Sequence, residues 1–287
     1  MSLIKYSIFL TTVECGSFTA AADTLGLTQS AVSHAVRSLE SELGVRLINR
    51  EYSMHLTSEG EALLPFFRQI IRDDEQLQQQ AAALLHVTKG RIRVGVFTSV
   101  AKHMLPAIIH AMDQTYPLVD IQLKEGNYAE IEAHIIGGRI DCGFLTRPSS
   151  ERLCLTPLQT DRMLCIVFPG HRFYEQSCVQ PDDLQGEPFI MPAFGGDHEI
   201  KRMLELKNIQ PKVRFELMEE NAILAMVNHS LGISVLPELT LPEHLAPLRA
   251  LPLDPPAYRT IELATLPDPS PVVQRFAALT QTLIAGR

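Results

Sequence analysis

The chain has 287 residues, of which 46% are hydrophobic and 20% are charged. This length suits about two domains, and the composition is ordinary for a globular protein. No apolar run approaches the roughly 18 residues of a membrane span, and no export signal is recognised at the N-terminus. We therefore expect a cytoplasmic protein. The formal net charge of −8 argues against a strongly basic nucleic-acid binder.

The first 57 residues carry the signals of three short helices. Apolar residues recur at helical spacing through 3–13 and in the two segments that follow. Ser17 is placed to cap the second helix, Thr28 to cap the third, and Gly44 to end it. Residues 46–57 alternate partly in polarity, which is typical of a small β-wing.

The second and third of these helices have the spacing of a helix-turn-helix. Ala22 is small where the helices would cross, Gly26 supplies the positive φ of the turn, and Val32 points inward. A polar start of the third helix is typical of a helix that offers side chains to base edges in the DNA major groove. The alternative, an ordinary helical hairpin, does not explain that polar start. Its side chains are Thr28, Gln29, Ser30, Ser33 and His34, with Arg37 one turn further along.

A long helix is predicted over 58–87. Ser58 and Glu61 have the spacing of a capping box, and Pro65 should kink or loosen the helix near its start. A seam of about 3.5-residue period indicates pairing with a second copy. The alternative is that the seam packs on its own domain. The seam consists of Leu63, Phe67, Ile70, Asp74, Leu77, Ala81 and Leu84.

From residue 91 onward, strand and helix patterns alternate. A βαβαβ series over 91–145, whose first helix is at 102–114, predicts a mainly parallel sheet. A second series spans 163–236, and a strand and a helix over 260–284 close the chain. The natural packing is two α/β lobes with a cleft, lobe I at about 91–161 and 266–287 and lobe II at about 162–265.

Ligands of such sheets bind beyond the carboxyl ends of the strands. Thr98 and Ser99 follow the first strand and precede a helix, whose free N–H groups suit a carboxylate or another anion. For each such residue, a cap or turn role is the alternative. Residues that follow other strands, and are expected at the same cleft, are Asn127, Thr146, Arg147 and Phe194.

The five cysteines form no C-x-x-C pair, which favours buried, reduced thiols. A redox sensor using Cys154, Cys165 or Cys178 is the alternative. We find no H-E-x-x-H motif or close Cys/His cluster, so we predict no metal and no cofactor. No catalytic set can be selected from the sequence.

The chain resembles the LysR family of bacterial transcriptional regulators. The resemblance is specific at Gly16–Ala22, Leu25, Thr28–Ser33, Leu39-Glu40, Leu43–Val45, Leu47, Arg50, Leu56-Thr57 and Glu59-Gly60, and it continues more weakly to Pro237. It implies a winged helix-turn-helix DNA-binding domain at 1–57 and a dimerising linker helix at 58–87. It also implies a two-lobed, periplasmic-binding-protein-like effector domain at 91–287, with ligand contacts near Ser99, and usually a tetramer.

Three departures from the family pattern concern DNA binding. Ser30 stands where the family commonly has proline, His34 stands where arginine is frequent, and the wing after Arg50 looks one residue short and lacks a second arginine. Residues 1–57 carry four basic and five acidic side chains, a net charge of −1. Phosphate contacts should therefore depend on helix N-termini, on hydroxyls such as Ser17, and on Arg50.

The sequence therefore predicts a transcriptional regulator and not an enzyme. It should form a homodimer through the linker helix, bind promoter DNA as a homotetramer, and respond to a small anionic metabolite in the cleft. One alternative is the redox-sensing regulator. Another is a solute-binding protein or α/β enzyme with a helical N-terminal extension.

Overall fold

A computed structural model describes residues 2–49, 54–146, 150–193 and 198–286. The chain forms two compact units, one of Met1–Gly90 with Gly137–Arg139 and one of Arg91–Ile136 with Ile140–Arg287. Within the described residues, no helix has the length and apolar character needed to cross a membrane.

The first unit contains three short helices, a two-stranded wing and one long helix. The capping predictions are confirmed, since Ser17 Oγ accepts a hydrogen bond from the Ala20 amide and Thr28 Oγ1 accepts one from the Ala31 amide. Gly26 has a φ of 65°, which glycine adopts without strain and which lets the chain turn between the helices. The elements are α1 (Leu3–Cys15), α2 (Phe18–Leu25), α3 (Gln29–Leu43), β1 (Ile48–Asn49), β2 (His55–Leu56) and α4 (Ser58–Leu84).

The core of this unit includes the start of the long helix. Phe67 of α4 contacts Phe9 edge-to-face at 5.0 Å between ring centroids and lies 5.1 Å from the ring of Tyr6. Val32 and Leu39 of α3 are fully buried in the same cluster. An aromatic group therefore holds α1 against α4, and such packing contributes stability beyond area burial. The helix-turn-helix packs in the same cluster through α3.

One prediction for α4 needs correction. The cap is Thr57, whose Oγ1 accepts from the Gly60 amide at 3.0 Å, so the capping box predicted for Ser58 and Glu61 is wrong by one residue. The helix continues through Pro65 as one element, and the kink or loosening expected there stays a prediction.

The predicted seam of α4 divides into a buried and an exposed part. Phe67 is buried, whereas Ile70, Leu77 and Leu84 are 39%, 67% and 82% exposed. The alternative that the whole seam packs on its own domain is therefore wrong for its C-terminal half.

The second unit alternates strands and helices. Its first helix is not the single element predicted at 102–114, because the helix begins at Thr98 and is interrupted at Met104, just before Pro106 begins a new first turn. The elements are β3 (Gly90–Val96), α5 (Thr98–His103), α6 (Leu105–Thr115), β4 (Val119–Glu125), α7 (Tyr128–Ile136), β5 (Cys142–Thr146), β6 (Cys154–Val167), β7 (Pro188–Pro192), α8 (His198–Leu206), β8 (Lys212–Leu217), α9 (Glu220–Asn228), β9 (Ser234–Pro237), β10 (Arg249–Pro252), β11 (Tyr258–Thr265) and α10 (Pro271–Ala285).

The main sheet has seven strands in the order β10-β6-β11-β5-β3-β4, with β9 also paired to β6. β3 and β5 are parallel, but β11 is antiparallel to both β5 and β6, and β6 is antiparallel to β9 and β10. The parallel pairing predicted for the series over 91–145 is therefore confirmed for β3 and β5, but the seven-stranded sheet as a whole is not mainly parallel. The difference arises because β6 and β11 are long neighbouring strands joined by antiparallel pairing.

Strand β6 takes part in both lobes. Its residues Cys154–Arg162 pair with β11, and Met163–Val167 pair with β9 and β10. The first lobe has its own core, which includes Phe144 and Phe276, and Ile261 and Leu263 of β11 belong to that core. The second lobe buries alternate residues of β6 on its two faces, with Met163, Cys165 and Val167 in one cluster and Leu164 and Ile166 in the other.

Candidate functional site

The N-terminal part of α3 presents the predicted polar side chains at the surface. Thr28, Gln29, Ser30, His34 and Arg37 are exposed, and Ser33 and Ser17 are half-buried. The opposite face of α3 is buried through Val32, Val36 and Leu39. The apolar face fixes the helix in the unit. The opposite face offers hydroxyl, amide, imidazole and guanidinium groups, which can form hydrogen bonds with base edges and phosphates.

Acidic residues near the other end of α3 are used inside the unit. Lys5 forms an ion pair with Glu42 and donates to Ser38 Oγ at 2.8 Å. The hydrogen bond from Lys5 is the main cause of a lowered pKa at Glu42. Glu40 accepts from the Leu47 amide at 2.9 Å. These carboxylates therefore stabilise the unit and do not surround the polar start of α3. Arg50 lies outside the described residues.

The second unit contains a buried arginine that joins several of its elements. Arg259 of β11 is 4% exposed, and its Nε and Nη2 lie 2.8 Å and 2.6 Å from Asp161 Oδ2 on β6. Nη1 donates to Tyr128 Oη at 2.7 Å, and Nη2 donates to Ser99 Oγ at 2.8 Å. The second oxygen of Asp161 accepts from the Leu239 amide at 3.1 Å. One ion pair thus links α5, α7, both long strands and the turn after β9.

A cavity of about 160 Å³ lies against this group. It is smaller than the roughly 300–1,000 Å³ that drug-sized ligands occupy, so it suits a small metabolite. Phe97 and Tyr128, whose rings meet edge-to-face at 4.7 Å, supply apolar surface, and Met218 extends it. The polar part of the lining consists of Thr98, Ser99, Glu125, Asn127, Glu220 and Arg259.

The charges of this lining are mostly negative. Thr98 Oγ1 donates to Glu125 at 3.2 Å, and no ion pair involving Glu125 or Glu220 is seen in the part of the chain that the structure describes. Burial raises the pKa of Glu220, and the neighbouring Glu219 and Glu125 raise it further, although Arg259 lowers it. Because Asp161 compensates Arg259, the cavity carries excess negative charge.

The structure brings together three of the six residues predicted to meet an effector. Thr98, Ser99 and Asn127 line the cavity. Asn127 also has the predicted alternative role of a cap, because its Oδ1 accepts from the Glu130 amide at 3.0 Å. Thr146 is buried at the end of β5 and is not in the described lining of this cavity. Arg147 and Phe194 lie outside the described residues.

Sequence reasoning missed Arg259, Asp161, Tyr128 and Glu220. The available signal was a charged residue inside each of two strands, since a buried charge requires a partner. Arg259 and Asp161 are 98 residues apart, so no local spacing could pair them.

The described thiols differ in burial. Burial raises the pKa of Cys142 and of Cys165, which opposes formation of the reactive thiolate. Cys154 is exposed and Cys178 is half-buried. Cys154 and Cys165 lie 11 positions apart on the continuous strand β6, a span of roughly 35 Å at about 3.3 Å per residue. They cannot form a disulfide with each other in this fold, because that bond needs Cα atoms within about 7 Å.

A helix-turn-helix unit joined to a two-lobed α/β unit defines a DNA-binding regulator rather than an enzyme. Residues 4–61 match the profile of the bacterial regulatory helix-turn-helix protein, lysR family, and residues 86–284 match the LysR substrate binding domain. The chain belongs to the LysR family of transcriptional regulators. The predicted family and fold class are confirmed.

Individual relatives cover nearly all of the chain. The uncharacterized HTH-type transcriptional regulator YvbU of Bacillus subtilis (strain 168) is 30% identical over 295 residues, covering 100% of both chains. The hydrogen peroxide-inducible genes activator of Escherichia coli O6:H1 is 29% identical over 276 residues, covering 93% of this chain and 90% of its own. A full-length OxyR variant from Pseudomonas aeruginosa has the same fold, with a TM-score of 0.77 at 20% identity and coverage of 99% of this chain and 94% of its own.

Proposed function

We propose that the chain binds promoter DNA through the polar start of α3, and that a small molecule in the cavity beside Ser99 changes its DNA-bound conformation. The DNA-binding domain is assigned to 1–57, the linker helix to 58–87 and the effector domain to 91–287. The hydrogen bond between the buried Arg259 and Ser99 carries the effector part of this proposal. Through Asp161 it joins the cavity to β6, the strand that takes part in both lobes.

The DNA contacts are assigned to side chains of the first unit. Gln29 is exposed and has the two-headed amide that matches adenine in the major groove. Ser17, Thr28, Ser30, Ser33 and His34 are assigned to backbone or base-edge contacts, and Arg37 and Arg50 to phosphates. With a net charge of −1 over 1–57, one domain should bind weakly, and linking several domains on one promoter supplies effective concentration.

Self-association is assigned to the exposed half of α4. Leu77 and Leu84 are apolar, largely exposed and seven positions apart, the repeat distance of a two-stranded coiled coil. We propose a homodimer through this helix and a homotetramer on DNA.

A redox-controlled regulator is the second candidate, because one relative is named a hydrogen peroxide-inducible genes activator. The thiols support it little, because Cys165 is buried with a raised pKa and is remote from Cys154 along β6. If Cys154→Ser and Cys178→Ser together abolish a response to peroxide, the redox candidate replaces the metabolite candidate.

Footprinting with the full-length protein on selected genomic fragments tests the proposal. We expect protection of a dyad-symmetric site, and a change in the protected pattern when a small molecule that raises the melting temperature is added. Ser99→Ala should weaken that molecule's binding without unfolding the protein. Protection that is independent of sequence would contradict the proposal.

A further inference from the structure

We infer that the effector of this chain carries a positively charged nitrogen, and that Glu125 and Glu220 hold it in the cavity beside Ser99. This inference rests on the proposed function, because it concerns the same cavity. It replaces the expectation of an anionic metabolite that the start of α5 gave from sequence alone.

The first reason is that Arg259 is already engaged. Its Nε and Nη2 contact Asp161, its Nη1 contacts Tyr128, and Nη2 also contacts Ser99. A carboxylate ligand would have to compete with the carboxylate of Asp161, which is itself only 3% exposed and also held by the Leu239 amide. Arg259 and Asp161 together add no net charge to the cavity.

The second reason is that two carboxylates of the lining form no ion pair among the described residues. Glu125 accepts from the Thr98 hydroxyl, which is neutral. Glu219, next to Glu220, is committed to the start of α9, where it accepts from the Ala222 amide at 2.8 Å and from Asn221. Glu220 therefore remains half-buried beside other negative charges, an arrangement that an anion would worsen and a cation would relieve.

The third reason is the shape of the remaining lining. Tyr128 and Met218 offer apolar surface next to the carboxylates, and the volume of about 160 Å³ leaves room for a short aliphatic or aromatic stem. An amine on such a stem can place its charge at Glu125 and Glu220 while its carbon atoms contact Tyr128.

Matched probes of one length separate charge from shape. The full-length protein is heated with n-butylammonium chloride, sodium butyrate or 1-butanol, with sodium chloride added to equal ionic strength. We expect n-butylammonium to raise the melting temperature in a concentration-dependent way and butyrate to leave it unchanged. Glu220→Gln and Glu125→Gln should each require about tenfold more n-butylammonium for the same shift.

Two further variants make the test specific. Glu243→Gln removes one negative charge at an exposed position that is not in the cavity lining, and it should keep the wild-type response. Arg147→Gln removes a cation that follows β5 directly in the sequence, and it should also keep the response to n-butylammonium.

The outcomes are distinct from those that test the proposed function. A shift with butyrate but not with n-butylammonium overturns the inferred charge, especially if Arg147→Gln abolishes it, and leaves a ligand-controlled regulator in place. If Glu220→Gln and Glu243→Gln change the melting-temperature shift with n-butylammonium equally, the shift reflects general salt binding and the inference is overturned. The absence of any shift with n-butylammonium also overturns it. Failure of the proposed function would instead appear as loss of sequence-specific DNA protection, whatever probe is present.

Discussion

Asp161 and Arg259 are Cα partners on the antiparallel strands β6 and β11, and their side chains form a buried ion pair. At 1% and 4% side-chain exposure, both partners are largely shielded from water. The pair is thus fixed by sheet register as well as by charge, and the hydroxyls of Ser99 and Tyr128 take their positions from it.

Removing one charge of this pair should be costly. We expect Asp161→Asn to lower the free energy of unfolding by about 3–5 kcal/mol, because the guanidinium of Arg259 is left buried without its counter-charge. Urea unfolding followed by circular dichroism measures the loss. Asp120→Asn is the matched control, since its partner Arg91 is exposed and such pairs contribute under about 1 kcal/mol. Equal losses in both variants would argue against a structural role for the buried pair.

Glu220 should destabilise the free protein at neutral pH. Its folded pKa lies above the ordinary value, so the folded state binds the proton more tightly and stability falls as pH rises through that range. We expect Glu220→Gln to raise the melting temperature by about 2 °C at neutral pH, an effect below about 1 kcal/mol. The gain should shrink as the pH falls and vanish below about 4.3, the ordinary pKa of glutamate, where the carboxyl becomes protonated in both states. Glu243→Gln should show no such pH-dependent gain in calorimetry.

Gln29 should contribute to sequence choice. We expect Gln29→Ala to weaken binding at specific sites by roughly 1–3 kcal/mol and to leave binding to random DNA nearly unchanged, because an amide reads adenine and not phosphate. Fluorescence anisotropy on both DNAs measures the difference. Ser41→Ala, at an exposed position near the end of α3, is the control. A loss of equal size on random DNA would show that Gln29 only positions the backbone.

The exposed half of α4 should control self-association. Leu77→Glu places a charge on the predicted seam and should convert dimers to monomers in sedimentation velocity experiments, with DNA binding weakened in parallel. Gln80→Glu adds the same charge at an exposed position outside the seam and should leave the dimer intact. Dimers that survive Leu77→Glu would assign association to another surface.

Salt should affect DNA binding only moderately. Residues 1–57 carry four basic side chains, and one of them, Lys5, is paired with Glu42. This predicts a shallow slope of affinity against salt concentration for a single domain pair. Titrations over a range of salt concentrations measure it. A slope equivalent to about ten released ions per dimer would be incompatible with this electrostatic account.

Local patterns predicted most of the helices and strands. Helical spacing, caps and the turn at Gly26 located α1, α2 and α3, because these signals depend on neighbouring residues only. Strand β10 and the first half of β6 were not predicted, because their pairing with distant strands stabilises them. Long-range pairing also accounts for the antiparallel share of the sheet.

In the candidate site, too, local sequence patterns predicted some residues and long-range contacts determined the others. Thr98, Ser99 and Asn127 were found because the residues after a strand face the ligand side of an α/β sheet. The carboxylate of Glu220 and the pairing of Arg259 were not predicted, since Glu220 begins a helix far along the chain from Asn127 and Arg259 pairs with a distant aspartate. Local sequence patterns therefore predicted part of the cavity lining, whereas the charges of the lining depend on contacts between distant residues.

The continuity of β6 restricts how the two lobes can move. If the lobes slid past one another by one residue along β6, Cys165 and Ile166 would each point to the opposite face of the sheet, although they are buried in different clusters. The same shift would break the register of β6 with β9 and β10. A slip of the strand register therefore cannot supply the conformational change proposed for the effector domain. We expect that change to bend or twist β6 where it changes partners at Arg162 and Met163, directly after Asp161.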